Sequence, residues 1–264
     1  MDRLKFMKAI GLPDDAIAAA EGVPLTEAEI EAFPQADFLD EPYGGDRPDR
    51  VLALFVSYLA RNSGAAYRKR GVSEEEWLAS MGDVAVWCKQ LYCERGEVGL
   101  RETHWLSHLV RTEIFRLGRL QFVPRLLSEE LVCGGTRFPV GTPYCEVHIP
   151  ADGKLSPALA DYSFVRAEQL FSPRFFTCES WLLSPKIEGL LKEGNILAFA
   201  SRFRVLSFDE TDRSAERYIF GKISQPSEYR PANDFAERVR DMALAGEYIG
   251  SAFGVCLAGG INKP

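Results

Sequence analysis

The sequence predicts an α+β protein, helical in its first part and mixed in its second. Three observations predict it. Up to residue 115 apolar residues recur three and four positions apart, with capping patterns at several helix starts. Beyond that point short segments alternate apolar and polar residues, as half-buried strands do. The 264 residues, 46% hydrophobic, suffice for two real cores, and no Pro/Gly/Ser linker, repeat or low-complexity tract separates them. We therefore expect a helical domain over residues 1–115 and a closely packed mixed-sheet domain over 116–264.

The first domain reads as a series of helices. "MDRLKFMKAIGL" stops at Gly11, and "PDDAIAAAEG" starts at Pro13 and stops at Gly22. "PLTEAEIEAF" carries Thr26 and Glu29 at capping-box spacing. "QADFLDEPYGGDRPDR" is rich in turn formers and reads as a loop. "VLALFVSYLARNSGAAYRKRG" is a strongly apolar helix. "SEEEWLASMGDVAVWCKQLYCERG" reads as one helix, opened by Ser73 and Glu76 and closed by Gly96. "RETHWLSHLVRTEIFRLG" reads as another, ending near Gly118.

In the second domain "RLQFVPRLL" and "GTPYCEVHIP" read as strands, and "SPALADYSFVRAEQLF" as a helix. "RFFTCESWLLSP" reads as a strand and "KIEGLLKEG" as a short helix. "NILAFASRFRVLSFDE" and "RYIFGKIS" suggest a hairpin around "TDRSAE". "NDFAERVRDMALAGEYIGSAFGVCL" reads as a last helix followed by a glycine-punctuated tail.

Composition excludes several classes. A net charge of -7 argues against general nucleic-acid binding, while leaving room for a local basic pocket. The six cysteines form no C-x-x-C pair, and several sit in apolar runs as buried thiols do. The start shows no signal-peptide pattern, and no apolar run is long enough to span a membrane. We expect a cytoplasmic protein with reduced thiols.

Candidate chemistry concentrates in "YCEVHIPADGKLSPAL". Alternation puts Tyr144, Glu146 and His148 on one strand face and Cys145, Val147 and Ile149 on the other. A carboxylate and an imidazole on one face can take up and relay a proton; the plainer alternative is the solvent face of an edge strand. After the turn, Ser156 and Pro157 make a good helix start, whose unpaired N–H groups attract anions beside Gly153 and Lys154. It is not a Walker A loop: His148 stands where that motif needs glycine, and Leu155 where it needs Ser or Thr. The helix stripe of Ala160, Phe164, Ala167 and Phe171 is core packing.

Other side chains also invite a chemical reading. His104 and His108 lie one helical turn apart, a spacing that suits zinc, but Trp105 replaces the glutamate of H-E-x-x-H; packing is the plainer role and no metal is expected. Glu179 sits in an apolar strand, "FFTCESWLLSP", where a carboxylate needs a partner or carries a raised pKa. Arg202 and Arg204, read as one strand face, offer that partner or a phosphate contact. Ser180 and Cys178 lack the G-x-S-x-G context of a nucleophile.

With these residues in view the chain resembles a bacterial N-acyltransferase family, in which a helical N-acyltransferase N-terminal domain precedes a GNAT-like C-terminal domain. The resemblance rests on "GLRETHWLSHLV", "IFRLGRLQF", "VHIPADGKLSP", "FFTCESWLLSP", "NILAFASRFRV" and "LAGEYIGSAFGV". It implies a mixed sheet splayed in the middle to admit the pantetheine arm of acyl-CoA. It further implies a pyrophosphate site at Ile149, Pro150, Gly153, Lys154, Leu155 and Ser156. The wider superfamily writes that loop as [QR]-x-x-G-x-[GA], from which "HIPADGKLS" departs. The implied reaction moves an acyl group from acyl-CoA, acetyl-CoA by default, to a small-molecule or peptide amine. Glu146 or His148 would be the base, Glu179 the reserve, and backbone N–H groups would hold the oxyanion. Ser180 or Tyr218 would protonate the leaving thiolate, and the helical half would set acceptor specificity. The alternatives are a non-catalytic acyl-CoA sensor or interaction module on the same fold and, further off, a metallohydrolase built on His104 and His108. Neither nucleic acid nor membrane is an expected partner.

Overall fold

A computed structural model describes residues 1–36, 39 and 47–259. The chain divides into two compact units between Leu117 and Gly118.

The first unit is helical: α1 (Arg3–Ala9), α2 (Asp14–Glu21), α3 (Glu27–Ala32), α4 (Pro48–Lys69), α5 (Glu74–Met81), α6 (Asp83–Arg95) and α7 (Thr103–Val110), then a short strand, β1 (Phe115–Leu117). Both expected capping boxes form, Thr26 with Glu29 and Ser73 with Glu76. The core gathers around α4, which buries Val51, Leu52, Phe55, Val56 and Leu59 and sets Phe55 edge-on to Phe33 at 4.9 Å. Three expectations need correcting. The helix expected over 73–96 breaks at Gly82 into α5 and α6. The one expected to run to Gly118 ends at Val110, and the β-branched and aromatic residues after it make β1. The expected 35–50 loop lies mostly outside the described residues, and its last three residues already belong to α4, which uses Pro48 at its start.

The second unit is mixed. Its strands are β2 (Leu120–Leu126), β3 (Leu131–Cys133), β4 (Thr136–Phe138), β5 (Pro143–His148), β6 (Phe175–Ser180), β7 (Arg204–Asp209) and β8 (Ser251–Leu257). Its helices are α8 (Pro157–Phe171), α9 (Ile187–Leu190), α10 (Asn195–Ala200), α11 (Ser214–Phe220) and α12 (Asp234–Leu244). Within the unit the main strands lie in the order β2-β5-β6-β8-β7, and β3 pairs with β4 apart from them. β5 and β6 are parallel, joined through α8; the other neighbours are antiparallel.

Each face of this sheet is covered differently. α8 lies on one, where Phe164 meets Phe122 at 5.9 Å and Phe176 at 4.9 Å. The β3–β4 hairpin, absent from the sequence reading, brings Cys133 and Phe138 onto Phe175 and Val255 of the other. Three further expectations fail here. "WLL" after β6 is a 3-10 turn, not strand. The hairpin around "TDRSAE" does not exist: "NILAFA" is α10 and "SAERYIF" is α11, leaving β7 alone between them. The glycine-punctuated tail contains β8, which pairs with both β6 and β7.

Candidate active site

The feature that shapes the site is where β5 and β6 stop pairing. Their register holds only at Cys145↔Phe176 and Glu146↔Thr177. Beyond that, Val147 and His148 stay paired with Phe122 and Gln121 of β2, while Cys178, Glu179 and Ser180 stay paired with β8. Two parallel strands thus part at their C-terminal ends, each held by its outer neighbour. A parting of this kind is where an extended ligand can pair with strand backbone.

The face carrying Tyr144, Glu146 and His148 is half-buried, and Cys145 and Val147 face the core, as alternation demands. Glu146 is already engaged: Arg125 Nε lies 3.3 Å from Oε2, and the Tyr144 hydroxyl donates to Oε1 at 3.5 Å. Burial, and then the Glu146 charge, hold the Tyr144 phenol above its usual pKa. The Tyr144 ring stacks on Phe175 at 5.2 Å. His148 stands directly across from Gln121 in the β2–β5 register.

The loop from Ile149 to Ser156 has an organiser that sequence reasoning missed. Arg119, 7% exposed, donates from Nη2 to the carbonyl oxygens of Pro150 and Gly153, both at 2.7 Å, and from Nε to that of Lys154 at 3.0 Å. In a planar trans peptide the next N–H points the opposite way from the carbonyl, and no cis bond occurs among the described residues. The amides of Ala151, Lys154 and Leu155 therefore point away from Arg119, and none donates to a protein oxygen among the described residues. Lys154 is exposed beside them, and Ser156 caps α8 by accepting from the Leu159 N–H at 3.4 Å. Outward amides, a lysine and a fifteen-residue helix start suit an anion. Ser163 of α8 anchors Arg119 in turn: its Oγ accepts from the Arg119 N–H at 2.9 Å and the Leu120 N–H at 3.3 Å. The available signal was the "GRLQF" string itself.

Other candidates sit differently from expectation. Glu179 is exposed, so its carboxylate stays hydrated and needs no partner. Arg202 precedes β7 and pairs instead with Asp161 of α8 at 2.6 Å, so it shares no strand face with Arg204. Ser180 ends β6 at the parting, where its Oγ accepts from the Leu182 N–H at 3.2 Å. Tyr218 lies on α11, not on a strand, with its side chain 47% exposed. The α11 residue Ala215 packs with Ile187, Leu190, Val239 and Ile249 in a separate cluster. Among the histidines of α7, His108 Nδ1 meets Glu113 Oε2 at 2.6 Å. No group of three or more His, Cys, Asp or Glu side chains is arranged for a metal ion among the described residues.

A mixed sheet whose central parallel pair opens above a helix start defines a GNAT-like domain, and the comparisons agree. Residues 114–256 match the family model described as the GNAT-like C-terminal domain, and residues 1–112 match the N-acyltransferase N-terminal domain. The chain belongs to this family. Among solved structures it is similar to an acyltransferase in complex with decanoyl-CoA and teicoplanin, at 18% identity and a TM-score of 0.80, over 96% of this chain and 87% of that one. The figures are the same for an acyltransferase in complex with CoA and 10C-teicoplanin. For a mutant acyltransferase in complex with octanoyl-CoA the TM-score is 0.79, with the same identity and coverage. At this identity the likeness establishes the fold. No curated protein matches the chain. No helix of the described residues is long and apolar enough to cross a membrane.

Proposed function

We propose that this protein is an acyl-CoA-dependent N-acyltransferase. The observation that carries the reading is the parting of β5 and β6 after Glu146 and Thr177, next to a loop whose amides Arg119 turns outward. The pantetheine arm would enter the parting and pair with strand backbone, and the pyrophosphate would meet the amides of Ala151, Lys154 and Leu155 with the Lys154 ammonium. Ile149, Pro150, Gly153 and Ser156 complete the loop and the helix start.

In the reaction an amine nitrogen attacks the thioester carbonyl carbon; the C–N bond forms and the C–S bond breaks. The amine must lose a proton, and His148 at the end of β5 is our choice of base. Glu146, tied to Arg125, orients or relays; exposed Glu179 stays in reserve. The leaving thiolate takes a proton, for which Ser180 at the end of β6 is better situated than Tyr218 on α11. The reading puts the protein in the cytoplasm, where acyl-CoA and reduced thiols coexist. Octanoyl-CoA and decanoyl-CoA, held by similar structures, belong in the donor panel beside acetyl-CoA. Teicoplanin belongs in the acceptor panel beside simple primary amines.

The test is thermal unfolding with CoA and each acyl-CoA, followed by thiol release in the presence of amines. A ligand at a hundred times its Kd stabilises the fold by about 2.7 kcal/mol, which raises the midpoint by degrees. No shift with any CoA species at millimolar concentration would overturn the reading. A shift without thiol release from any amine would favour the non-catalytic acyl-CoA sensor, which the departure of "HIPADGKLS" from the superfamily pattern also favours.

A further inference from the structure

Gln121 has an environment that a purely structural glutamine avoids. It lies on β2 between Leu120 and Phe122, with Val123 following, all three fully buried, and is itself 2% exposed. Its amide nitrogen Nε2 is buried and has no hydrogen-bond acceptor among the described residues. A buried donor left unpaired is costly, and native chains complete one with water or a ligand or keep it for a catalytic role. The register gives it a second property. Gln121 is the direct antiparallel partner of His148, so the two side chains project from one face as a cross-strand pair. His148 ends β5 where that strand has parted from β6.

We infer that Gln121 donates a hydrogen bond from Nε2 to a substrate oxygen held beside His148. The inference rests on the transferase reading above and deepens it. The oxygen every acyl transfer must present is that of the thioester carbonyl, which gains negative charge as the amine attacks and returns to a carbonyl when the C–S bond breaks. A fixed N–H donor in a dry site stabilises that charge more than it does the ground state. Gln121 and His148 then divide the work: the imidazole takes the amine proton while the carboxamide holds the oxyanion. An oxygen of the acceptor molecule has the same chemistry, and the kinetics separate the two sources.

The test compares wild type with Gln121→Met, similar in length without the donor, and Gln121→Asn, which keeps a donor one methylene short. Four quantities are measured: acyl-CoA affinity by calorimetry, kcat, KM for each substrate, and the unfolding midpoint. We expect Gln121→Met to keep or raise the midpoint, to bind acyl-CoA within about twofold of wild type, and to lose roughly 100- to 1,000-fold in kcat; Gln121→Asn falls between. A loss confined to acceptor KM supports the donor role and assigns the oxygen to the acceptor. A kcat and an acceptor KM that both stay within threefold of wild type, or a midpoint that falls along with the activity, overturn the inference while the transferase reading stands. Wild type that binds no acyl-CoA removes that reading, and the inference with it.

Discussion

The Arg119 guanidinium donates to the Gly153 carbonyl oxygen at 2.7 Å, so an arginine in the turn before β2 shapes a loop 34 residues further along the chain. It also holds the carbonyls of Pro150 and Lys154. Arg119→Met should therefore act on both stability and ligand binding. Losing charge-assisted bonds to three buried or half-buried carbonyls should cost about 2–4 kcal/mol in urea denaturation. With the loop amides no longer held outward, CoA affinity should fall at least about tenfold. Arg119→Lys keeps the charge but not the fork, and should be intermediate. Full CoA affinity in a folded Arg119→Met variant would show that the loop amides do not meet the ligand.

Glu146 and His148 share a strand face but should differ under substitution. Glu146 already accepts from Arg125 and Tyr144, whereas His148 ends β5 opposite Gln121. His148→Gln should cut turnover by about 100-fold or more with CoA affinity unchanged, the range for loss of a general base. Glu146→Gln should cost less than about tenfold, an orienting rather than a proton-transfer effect. Single-turnover rates at saturating acyl-CoA measure both, and the opposite ranking would make Glu146 the base.

Much of this site could be read from local sequence because local rules govern it. Strict alternation located β5, and Ser156-Pro157 located the start of α8. What stayed hidden depended on distant partners. "SAFGVCL" looked like a tail because Gly254 interrupts it. A Cβ there would stand 3.0 Å from Phe203 Cβ and 3.1 Å from Leu183 Cδ1, so packing from distant residues favours glycine. "RYIF" has strand propensity, yet burial of Ala215 and Glu216 and the Arg213–Glu216 pair make it helix. Glu179 was expected to need a partner or a raised pKa among its apolar neighbours, but it lies on a face left open at that point. Arg119 and Gln121 looked like ordinary strand residues until the loop and the register gave them partners.

The buried thiols predict an alkaline limit to stability. Burial pushes Cys145 up to about 12 and Cys256 up to about 11, and raises Cys88 and Cys178 in the same way. Unfolded thiols ionise near ~8.5. Below that pH both states keep the proton and the contribution to stability is complete. Above it only the unfolded state releases protons, so stability is lost as pH climbs toward the folded values, by ~1.4 kcal/mol per pH unit per thiol. Urea midpoints in reducing buffer should fall steeply from about pH 9 to 11, less so in Cys145→Ala. At neutral pH a thiol reagent should modify exposed Cys93 quickly and the five buried cysteines only on unfolding. Fast modification of several thiols in the native protein would contradict the burial.

Glu216, 2% exposed, is held by Arg213 at 2.5 Å and by the Tyr229 hydroxyl. Arg213 also donates to the Ser224 carbonyl at 2.8 Å, which ties the segment after α11 back onto the helix. Removing one partner of such a pair strands the other charge, so Arg213→Ala should cost about 3–5 kcal/mol. Removing both in Arg213→Met with Glu216→Leu should recover much of that loss, since neither charge is then left unpaired. A double-mutant cycle by urea denaturation measures the coupling. Additive losses in the cycle would mean that the pair is solvated and contributes little.

Two glycines of the first unit separate backbone conformation from packing. Gly96 closes α6 at φ +69 with open space where a Cβ would stand. Gly99, at φ +134, would place a Cβ 2.3 Å from the Pro48 carbonyl carbon and 2.4 Å from its oxygen, at the start of α4. Gly96→Ala should cost only the left-handed conformation, about 1–2 kcal/mol. Gly99→Ala must also push two backbones apart, and the Leu100 N–H bond to the Pro48 carbonyl at 3.0 Å would go with them. Its cost should exceed about 4 kcal/mol, the range reserved for severe steric damage. Circular-dichroism melts of the two variants decide it: a Gly99→Ala protein as stable as Gly96→Ala would mean that α4 does not start against Gly99.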